Sequence, residues 1–381
     1  MNVGYTANMN QNHLDLKGAV NFGSFYTPEH LVDLVYNIIK KNAPDNERYI
    51  ILDTSCGYGG FLRGEKSIGA DIDKQAIQFA RNNSYSVYFN HNSLLNISRK
   101  QYNLSKDEKL IIVGNPPYND TTSIIRKDIK EKSCLKDDDV KARDLGISFL
   151  RSYNKLESDY VCVLHPLSYL IKKTNFNCLR LFTNNYRLTD SVVFSSGEFS
   201  ATSKTTQFPV IAAFYERNLC GMNYNYIENY KFKTIDNKIF SIKNYDTIGN
   251  YASKYPNHKQ VSQDETVAFF YTMRDINALK RAATFLDKET YNTVRITRNT
   301  LPYYCYADVL KDYTPHIPYY FGNNDIIIDN DAFLEIKNLF IQRSVEKHPQ
   351  LCGIIEQKKY NNADIEIGKY FESLLGEHYM D

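Results

Sequence analysis

Tryptophan is absent from the 381 residues, and several other absences are as informative. No stretch approaches the roughly eighteen consecutive apolar residues that a membrane-spanning helix needs, so no membrane contact is expected. The seven cysteines (Cys56, Cys134, Cys162, Cys178, Cys220, Cys305 and Cys352) are odd in number, scattered, and never spaced C-x-x-C. That argues against a disulfide framework or a structural zinc site and fits a reducing compartment. Charge of one sign is scarce too: a formal net charge of +2 excludes a uniformly basic nucleic-acid binder and leaves only local patches. The opening MNVGYTANMNQNHLDLKG lacks the apolar core of a secretory signal, so a cytoplasmic, soluble chain is the expectation.

What is present supports a large core. Hydrophobic residues make up 43% and charged residues 24%, a globular rather than a disordered balance, and the length suits two domains. Tyrosine is abundant, at 31 residues. Its flat ring and polar tip suit bases and sugars, but biased usage in a chain also rich in Asn, Lys and Ile is the simpler account.

The first half alternates short apolar runs with helical periodicity. The spacing predicts strands at 49–52, 67–71, 86–89, 110–113, 160–164, 191–194 and 209–214. A helix should start with Thr27 as N-cap, Pro28 at the first helical position and Glu29 in the first turn, burying Leu31, Leu34, Val35, Ile38 and Ile39. A second helix is expected over 73–82, with Ala76, Ile77 and Ala80 inward and Asp73 as its N-cap. Strands separated by helices in this way imply an α/β fold with a doubly wound, Rossmann-like sheet. Ligands of such sheets bind beyond the carboxyl ends of the strands. The charged stretch 120–141 reads as a mobile loop beside that end, or as a solvated helix.

Four segments at strand ends carry candidate chemistry. In ILDTSCGYGGFL a strand ends at Asp53 and a loop with Gly57, Gly59 and Gly60 lets the backbone approach a ligand. Its spacing is not G-x-G-x-x-G, which disfavours a dinucleotide. In IGADIDKQAI, Asp71 closes the second strand, where an acid can accept both hydroxyls of a ribose. In FNHNSLL, Asn92 follows the third strand, either as an amide that reads an adenine edge or as a plain turn residue. In IIVGNPPYND, two prolines hold Asn115 in extended geometry at the mouth of the fourth strand. Acceptors aimed outward there suit an –NH2 group, and Tyr118 offers a ring on which a planar group can stack.

NPPY, with the glycine loop and Asp71 upstream, resembles the S-adenosylmethionine-dependent amino-methyltransferases, which act on adenine N6, cytosine N4 or protein glutamine. FGSFYTPEHLV ahead of the glycine loop resembles the leading segment of gamma-ordered DNA adenine-N6 methyltransferases of restriction-modification systems. The resemblance runs from about Phe22 to Glu216. It implies a seven-stranded methyltransferase sheet in residues 1–216 and a target-recognition domain in 217–381. S-adenosyl-L-methionine would be the methyl donor, with no metal. Thr27 would contact its carboxylate, Asp53 and Gly57 its amino-acid end, Asp71 the ribose and Ile72 the adenine ring. Asn92 stands where the family usually has Asp, which implies weaker cofactor binding. Asn115 and the Pro116 carbonyl, in the rigid turn with Pro117, would accept the two hydrogens of the target amine and free its lone pair. Tyr118 would stack on the base from one side and Phe199 from the other, with Phe208 as rival and core packing as the plain alternative for both.

The implied partner is double-stranded DNA, with the target base flipped out at a cost of a few kcal/mol. Aromatic stacking at about 1–3 kcal/mol per contact is of the size to offset that cost. A separately encoded restriction endonuclease is the implied functional partner, and a monomer is expected. Residues 231–298 carry twelve Lys/Arg against seven Asp/Glu, whereas 300–381 carry seven against thirteen. Phosphate contacts are accordingly sought at Arg274, Lys280, Arg281, Arg295 and Arg298, with a solvated surface as the alternative. Two other readings stand beside this one: an amino-methyltransferase for RNA adenine or protein glutamine, and a non-catalytic DNA-binding relative.

Overall fold

The computed structural model describes residues 27–45, 47–64, 66–118, 135–199, 207–354 and 359–381. Residues 22–26 of the leading segment, 120–134 of the charged stretch and 200–206 between the two candidate phenylalanines lie outside the described residues. The chain divides into two compact units, Met1–Ile239 and Phe240–Asp381.

The first unit is built on seven strands: β1 (Ile50–Asp53), β2 (Ser67–Asp71), β3 (Val87–Asn90), β4 (Leu110–Gly114), β5 (Tyr160–Pro166), β6 (Tyr186–Ser195) and β7 (Pro209–Arg217). They lie in the order β3-β2-β1-β4-β5-β7-β6. Pairs β2–β3, β1–β2, β1–β4 and β4–β5 are parallel. Strand β7 runs antiparallel to both β5 and β6. The seven-stranded, doubly wound α/β sheet expected from the apolar runs is therefore present. Its order reverses between β1 and β4, and the carboxyl ends of those two strands form the switch point. Strand β6 runs longer than 191–194 because Arg187, Thr189 and Asp190 dilute its apolar alternation.

Helix α1 (Glu29–Asn42) buries Leu31, Val32, Val35, Ile38 and Ile39. These side chains share one core with Ile111 and Val113 of β4, Leu164 of β5, Phe194 of β6 and Phe214 of β7. Its start differs from the expectation by one residue. Pro28 is the N-cap (φ −58°, ψ 148°) with no capping side chain, so Thr27 lies outside the helix with its hydroxyl uncommitted to a cap. Helix α2 (Lys74–Asn83) starts as expected: the Asp73 carboxylate accepts from the amides of Gln75 and Ala76. Helix α3 (Leu145–Leu156) connects β4 to β5, and the sequence did not reveal it. It is buried on several sides, and Gly146, Ser148 and Ser152 interrupt its apolar stripe.

The boundary falls after Ile239, not after Glu216. The helix Tyr224–Asn229 stays with the first unit because the Tyr226 hydroxyl donates to the Leu188 carbonyl of β6 at 2.6 Å. Further on, the Ile235 amide donates to the Val193 carbonyl at 2.8 Å. The second unit holds an antiparallel sheet in the order β9-β8-β10, made of β8 (Ala268–Tyr271), β9 (Phe285–Leu286) and β10 (Thr293–Ile296). Its three longer helices are α4 (Leu301–Tyr313), α5 (Asn330–Lys347) and α6 (Ala363–Leu375). The Tyr306 ring packs within 5.3–5.8 Å of Phe333, Phe340 and Phe371, tying these helices together. Among the described residues no helix is long and apolar enough to cross a membrane.

One buried titratable group belongs to the fold rather than to the site. His165 on β5 is fully buried and stacked between Tyr169 (5.4 Å) and Tyr215 (6.0 Å). Its Nδ1 lies 3.0 Å from the Pro166 carbonyl and its Nε2 2.7 Å from the Tyr215 hydroxyl. A neutral ring donating from Nδ1 and accepting at Nε2 satisfies both partners. Burial pushes its pKa down from 6.5 to about 4. Between those values the unfolded chain takes up a proton that the folded chain refuses, so the stability His165 contributes is complete above pH 6.5 and lost as pH falls toward 4. The unfolding free-energy gap between wild type and His165→Gln, read by urea titration, should therefore be widest above pH 6.5 and narrow toward pH 4; a pH-independent gap would refute this.

Candidate active site

At the end of β1, Asp53 is only 2% exposed and its Oδ1 accepts from the Ser55 amide at 3.0 Å. Burial raises its pKa to about 8, the Ser55 amide opposes this, and the nearby Asp71 adds to it. Gly57 then turns the chain at φ +51°, a region that penalises residues with a Cβ. Its N–H donates to Asp71 Oδ2 at 2.8 Å, while the Asp73 amide donates to Asp71 Oδ1 at 2.9 Å. Asp71 thereby ties the glycine loop to the start of α2. Each of its oxygens keeps a further lone pair. Burial again raises this carboxyl.

Two supports of this loop escaped the sequence. Asn90 donates its amide to the carbonyls of Asp71 (2.9 Å) and Ile72 (3.1 Å), holding out the Ile72 side chain at 49% exposure. An apolar side chain left open beside Asp71 is a ready platform for a flat ring. Tyr36 of α1 donates its hydroxyl to the Phe61 carbonyl at 2.6 Å and accepts from the Arg63 amide at 3.2 Å. Arg63 is further held to α1 by Glu29 (2.7 Å) and Asp33 (2.5 Å). A strand-terminal asparagine and a helical tyrosine carry no motif, so only the tertiary contacts reveal them.

Strand β4 ends in Gly114 at φ +140°, where a Cβ would lie 2.7 Å from Asp53 Oδ1. Glycine is required there, and its bare backbone seats Asp53 directly against the NPPY turn. In that turn the Asn115 amide nitrogen donates to Thr27 Oγ1 at 3.2 Å. Its oxygen Oδ1 is buried and has no hydrogen-bond partner. Pro116 is buried, while Pro117 and Tyr118 are half-buried. Tyr118 packs against the start of α3: a Cβ placed on Gly146 would lie 3.2 Å from Tyr118 Cβ. Burial raises the Tyr118 phenol far above its usual range, the Asn115 amide works the other way, and Asp144 adds to the rise, so the ring stays neutral. Asp144, the N-cap of α3, is held in turn by the Tyr169 hydroxyl.

Unsatisfied polar atoms gather at the same edge. Among the described residues nine buried side-chain polar atoms lack a hydrogen-bond partner, and five of them follow the ends of β1, β3 and β4: Thr54 Oγ1, Ser55 Oγ, His91 Nε2, Ser93 Oγ and Asn115 Oδ1. Thr54 and Ser93 do stand near the phenols of Tyr153 and Tyr102, but outside hydrogen-bonding geometry. Each orphan costs about 1–3 kcal/mol, so their concentration sets this edge of the sheet apart from the rest of the described core.

Four expectations change once the tertiary contacts are known. Phe199 is 1% exposed and packs in the α1 core, 6.0 Å from the Phe194 ring, so core packing is its role and no face of it is left for a base. Phe208 is partly buried against the same core. Asn92 sits in a turn: its Oδ1 accepts from the Leu94 amide at 3.0 Å and its Nδ2 donates to the Leu135 carbonyl at 2.9 Å. One lone pair of its oxygen remains for a ligand. The described end of the charged stretch is docked rather than loose, since Asp137 accepts from the amides of Asn96 (2.8 Å) and Ile97 (3.1 Å). On the second unit, Arg295 is committed to Glu289 at 2.8 Å and to the Val261 carbonyl at 2.9 Å. Arg298 donates to the Ile354 carbonyl at 2.7 Å, and Arg281 to the Asn277 carbonyl at 3.2 Å. Arg274 and Lys280 are exposed, with no ion-pair or hydrogen-bond partner among the described residues. Among the described residues no group of three or more His, Cys, Asp or Glu gathers as metal ligands.

Among solved structures the chain is similar to a modification subunit of an inferred type I restriction enzyme from Vibrio vulnificus YJ016, at 19% identity over 56% of this chain and 47% of that one (TM-score 0.41). It is also similar to a type I restriction-modification methyltransferase subunit from Streptococcus thermophilus, at 12% identity over 85% of this chain and 64% of that one (TM-score 0.37). A third is DrdV in its complex with DNA, at 15% identity over 59% of this chain and 29% of that one (TM-score 0.40). The chain thus spans less than two thirds of each of these proteins. A comparison with curated proteins found no significant match. The sequence profile of the N-6 DNA methylase family matches residues 12–176, a span that takes in Thr27, the glycine loop, Asp71 and NPPY. Over those residues the chain carries the pattern of the N-6 DNA methylase family, in agreement with the resemblance seen in its strand-end motifs.

Proposed function

We propose that the first unit transfers a methyl group from S-adenosylmethionine to N6 of an adenine flipped out of double-stranded DNA, and that the second unit recognises the target. The observation that carries this reading is Asn115 Oδ1, an acceptor buried without a partner in a turn stiffened by two prolines. An amide oxygen in that condition is built for an incoming N–H. With the Pro116 carbonyl as second acceptor, both hydrogens of an adenine amine are engaged, the nitrogen moves toward tetrahedral geometry and its lone pair is released. Tyr118 supports one face of the base. With Phe199 committed to the core, Phe208 is the remaining candidate for the other face.

The cofactor fit rests on the same strand ends. Asp71 has lone pairs for ribose hydroxyls, Ile72 is open to the adenine ring, and Thr54, Ser55, His91 and Ser93 carry atoms in need of partners. Asp53 and the Gly57 loop hold the amino-acid end. When bound, S-adenosylmethionine supplies a methyl group on a sulfonium: the N–CH3 bond forms as the S–CH3 bond breaks, a neutral thioether leaves, and the methylated nitrogen gives up one proton to solvent. What the chain contributes is positioning and preorganised acceptors. Protection of DNA from a separately encoded restriction endonuclease is the cellular role that accompanies this activity.

Three outcomes are expected. With tritiated S-adenosylmethionine and mixed-sequence duplex DNA, label should appear as N6-methyldeoxyadenosine, and Asn115→Ala should lose about 10²-fold or more in rate. Label confined to RNA or protein, or near-normal turnover by the variant, would overturn the assignment. Below about pH 8 Asp53 holds a proton, and a bound ammonium favours its carboxylate, so cofactor binding should release that proton and tighten as pH rises. Calorimetry at pH 7 in buffers of different ionisation enthalpy should detect the release in wild type and not in Asp53→Asn; equal values in the two proteins would remove Asp53 from the cofactor site. Removing Arg274 and Lys280 together should flatten the salt dependence of DNA binding by about two units of log–log slope, roughly one per phosphate contact. An unchanged slope would exclude both.

A further inference from the structure

We infer that Thr27 is a positioning residue for methyl transfer, accepting a hydrogen bond from the amide nitrogen of Asn115 so that the amide oxygen, and not the nitrogen, faces the reacting amine. This rests on the proposed function and assigns Thr27 a different part from the contact with the cofactor's carboxylate that the resemblance implies.

A side-chain amide is nearly symmetric in shape but opposite in chemistry at its two ends. Turned one way, Asn115 accepts from an amine; turned the other way, it presents two hydrogens to a group that also carries hydrogens. Prolines at 116 and 117 restrain the backbone and leave rotation about the last side-chain bond unrestrained. Side-chain partners must select the orientation. A threonine hydroxyl can accept or donate, so selection requires Oγ1 to act as acceptor, as it does from Asn115 Nδ2 at 3.2 Å; the Asn115 amide also works on the Tyr118 phenol, and Oδ1 is left buried and unpartnered.

Thr27 is placed for this by the correction at the start of α1. Had it capped the helix, its oxygen would have been taken by an amide of the first turn. Pro28 occupies the cap instead, with no side-chain bond, and holds the preceding residue extended. Leu31, Val32 and Val35 then lock α1 into the core that also contains Ile111 and Val113, the side chains just ahead of Asn115. The two partners, distant in sequence, are thus anchored to one rigid block.

The test compares Thr27→Val, which keeps the shape and removes the acceptor, with Thr27→Ser, which keeps the hydroxyl. In the full chain labelled with ¹⁵N-asparagine, the Asn115 side-chain amide resonances should shift and exchange faster with solvent in Thr27→Val, and stay close to wild type in Thr27→Ser. This readout does not depend on activity. With duplex DNA and tritiated S-adenosylmethionine, Thr27→Val should lower kcat about tenfold, the scale of one lost hydrogen bond. Cofactor Kd should stay within about twofold of wild type, and Thr27→Ser should restore kcat. Unchanged Asn115 resonances in Thr27→Val would overturn the inference whatever the activity. A weakened cofactor Kd with kcat intact would overturn it in favour of the carboxylate contact. Shifted resonances in a protein that labels no DNA would leave the bond standing and sink the methyltransferase reading instead.

Discussion

A buried carboxylate resting against a residue with no side chain joins the two halves of this site. Asp53 closes β1 and Gly114 closes β4, the neighbours on either side of the point where strand order reverses. A methyl group at 114 would sit 2.7 Å from Asp53 Oδ1, so the glycine loop and the NPPY turn share a wall only because that wall is bare backbone. From this contact the rest follows in two directions. Toward β2, the Gly57 amide reaches Asp71, and Asp71 in turn reaches the start of α2. Toward α3, Asn115 and Tyr118 project from a turn whose first residue cannot shift without displacing a buried carboxylate.

Helix α1 works as a clamp on both branches. Its apolar stripe seats it on the sheet, and its polar side chains then act at fixed places. Tyr36 holds the exit of the glycine loop, and Thr27, one residue before the cap, holds the Asn115 amide. Ion pairs from Arg63 to Glu29 and Asp33 are solvent-exposed and add little by themselves. The half-buried hydrogen bonds of Tyr36 and the packing of Leu31, Val32 and Val35 decide the placement.

The site is also where the protein tolerates unfavourable electrostatics. Asp71 raises the pKa of Asp53 in an environment that already disfavours charge, and five orphaned polar atoms follow the ends of β1, β3 and β4. Such groups weaken a folded protein unless a ligand answers them. His165, by contrast, is buried with both nitrogens satisfied and belongs to the core.

How far the sequence reached depended on whether a residue's role was local. Strand β2 was legible to the residue, and Asp73 as a cap, because alternation, helix entry and capping are settled within a few positions. Gly57 and the NPPY turn were legible for the same reason: glycine widens and proline narrows the backbone's choices wherever they occur, and Asp71 was legible as the last residue of its strand. The tertiary structure alone decided what depends on a partner far along the chain. It moved Phe199 into the core, committed Arg295 to Glu289, set Asn92 in a turn, and kept residues 217–239 with the first unit. It also chose between capping a helix and holding Asn115 for the hydroxyl of Thr27, because backbone preference is written in neighbouring residues, whereas the partner of a side chain is set only when distant segments pack.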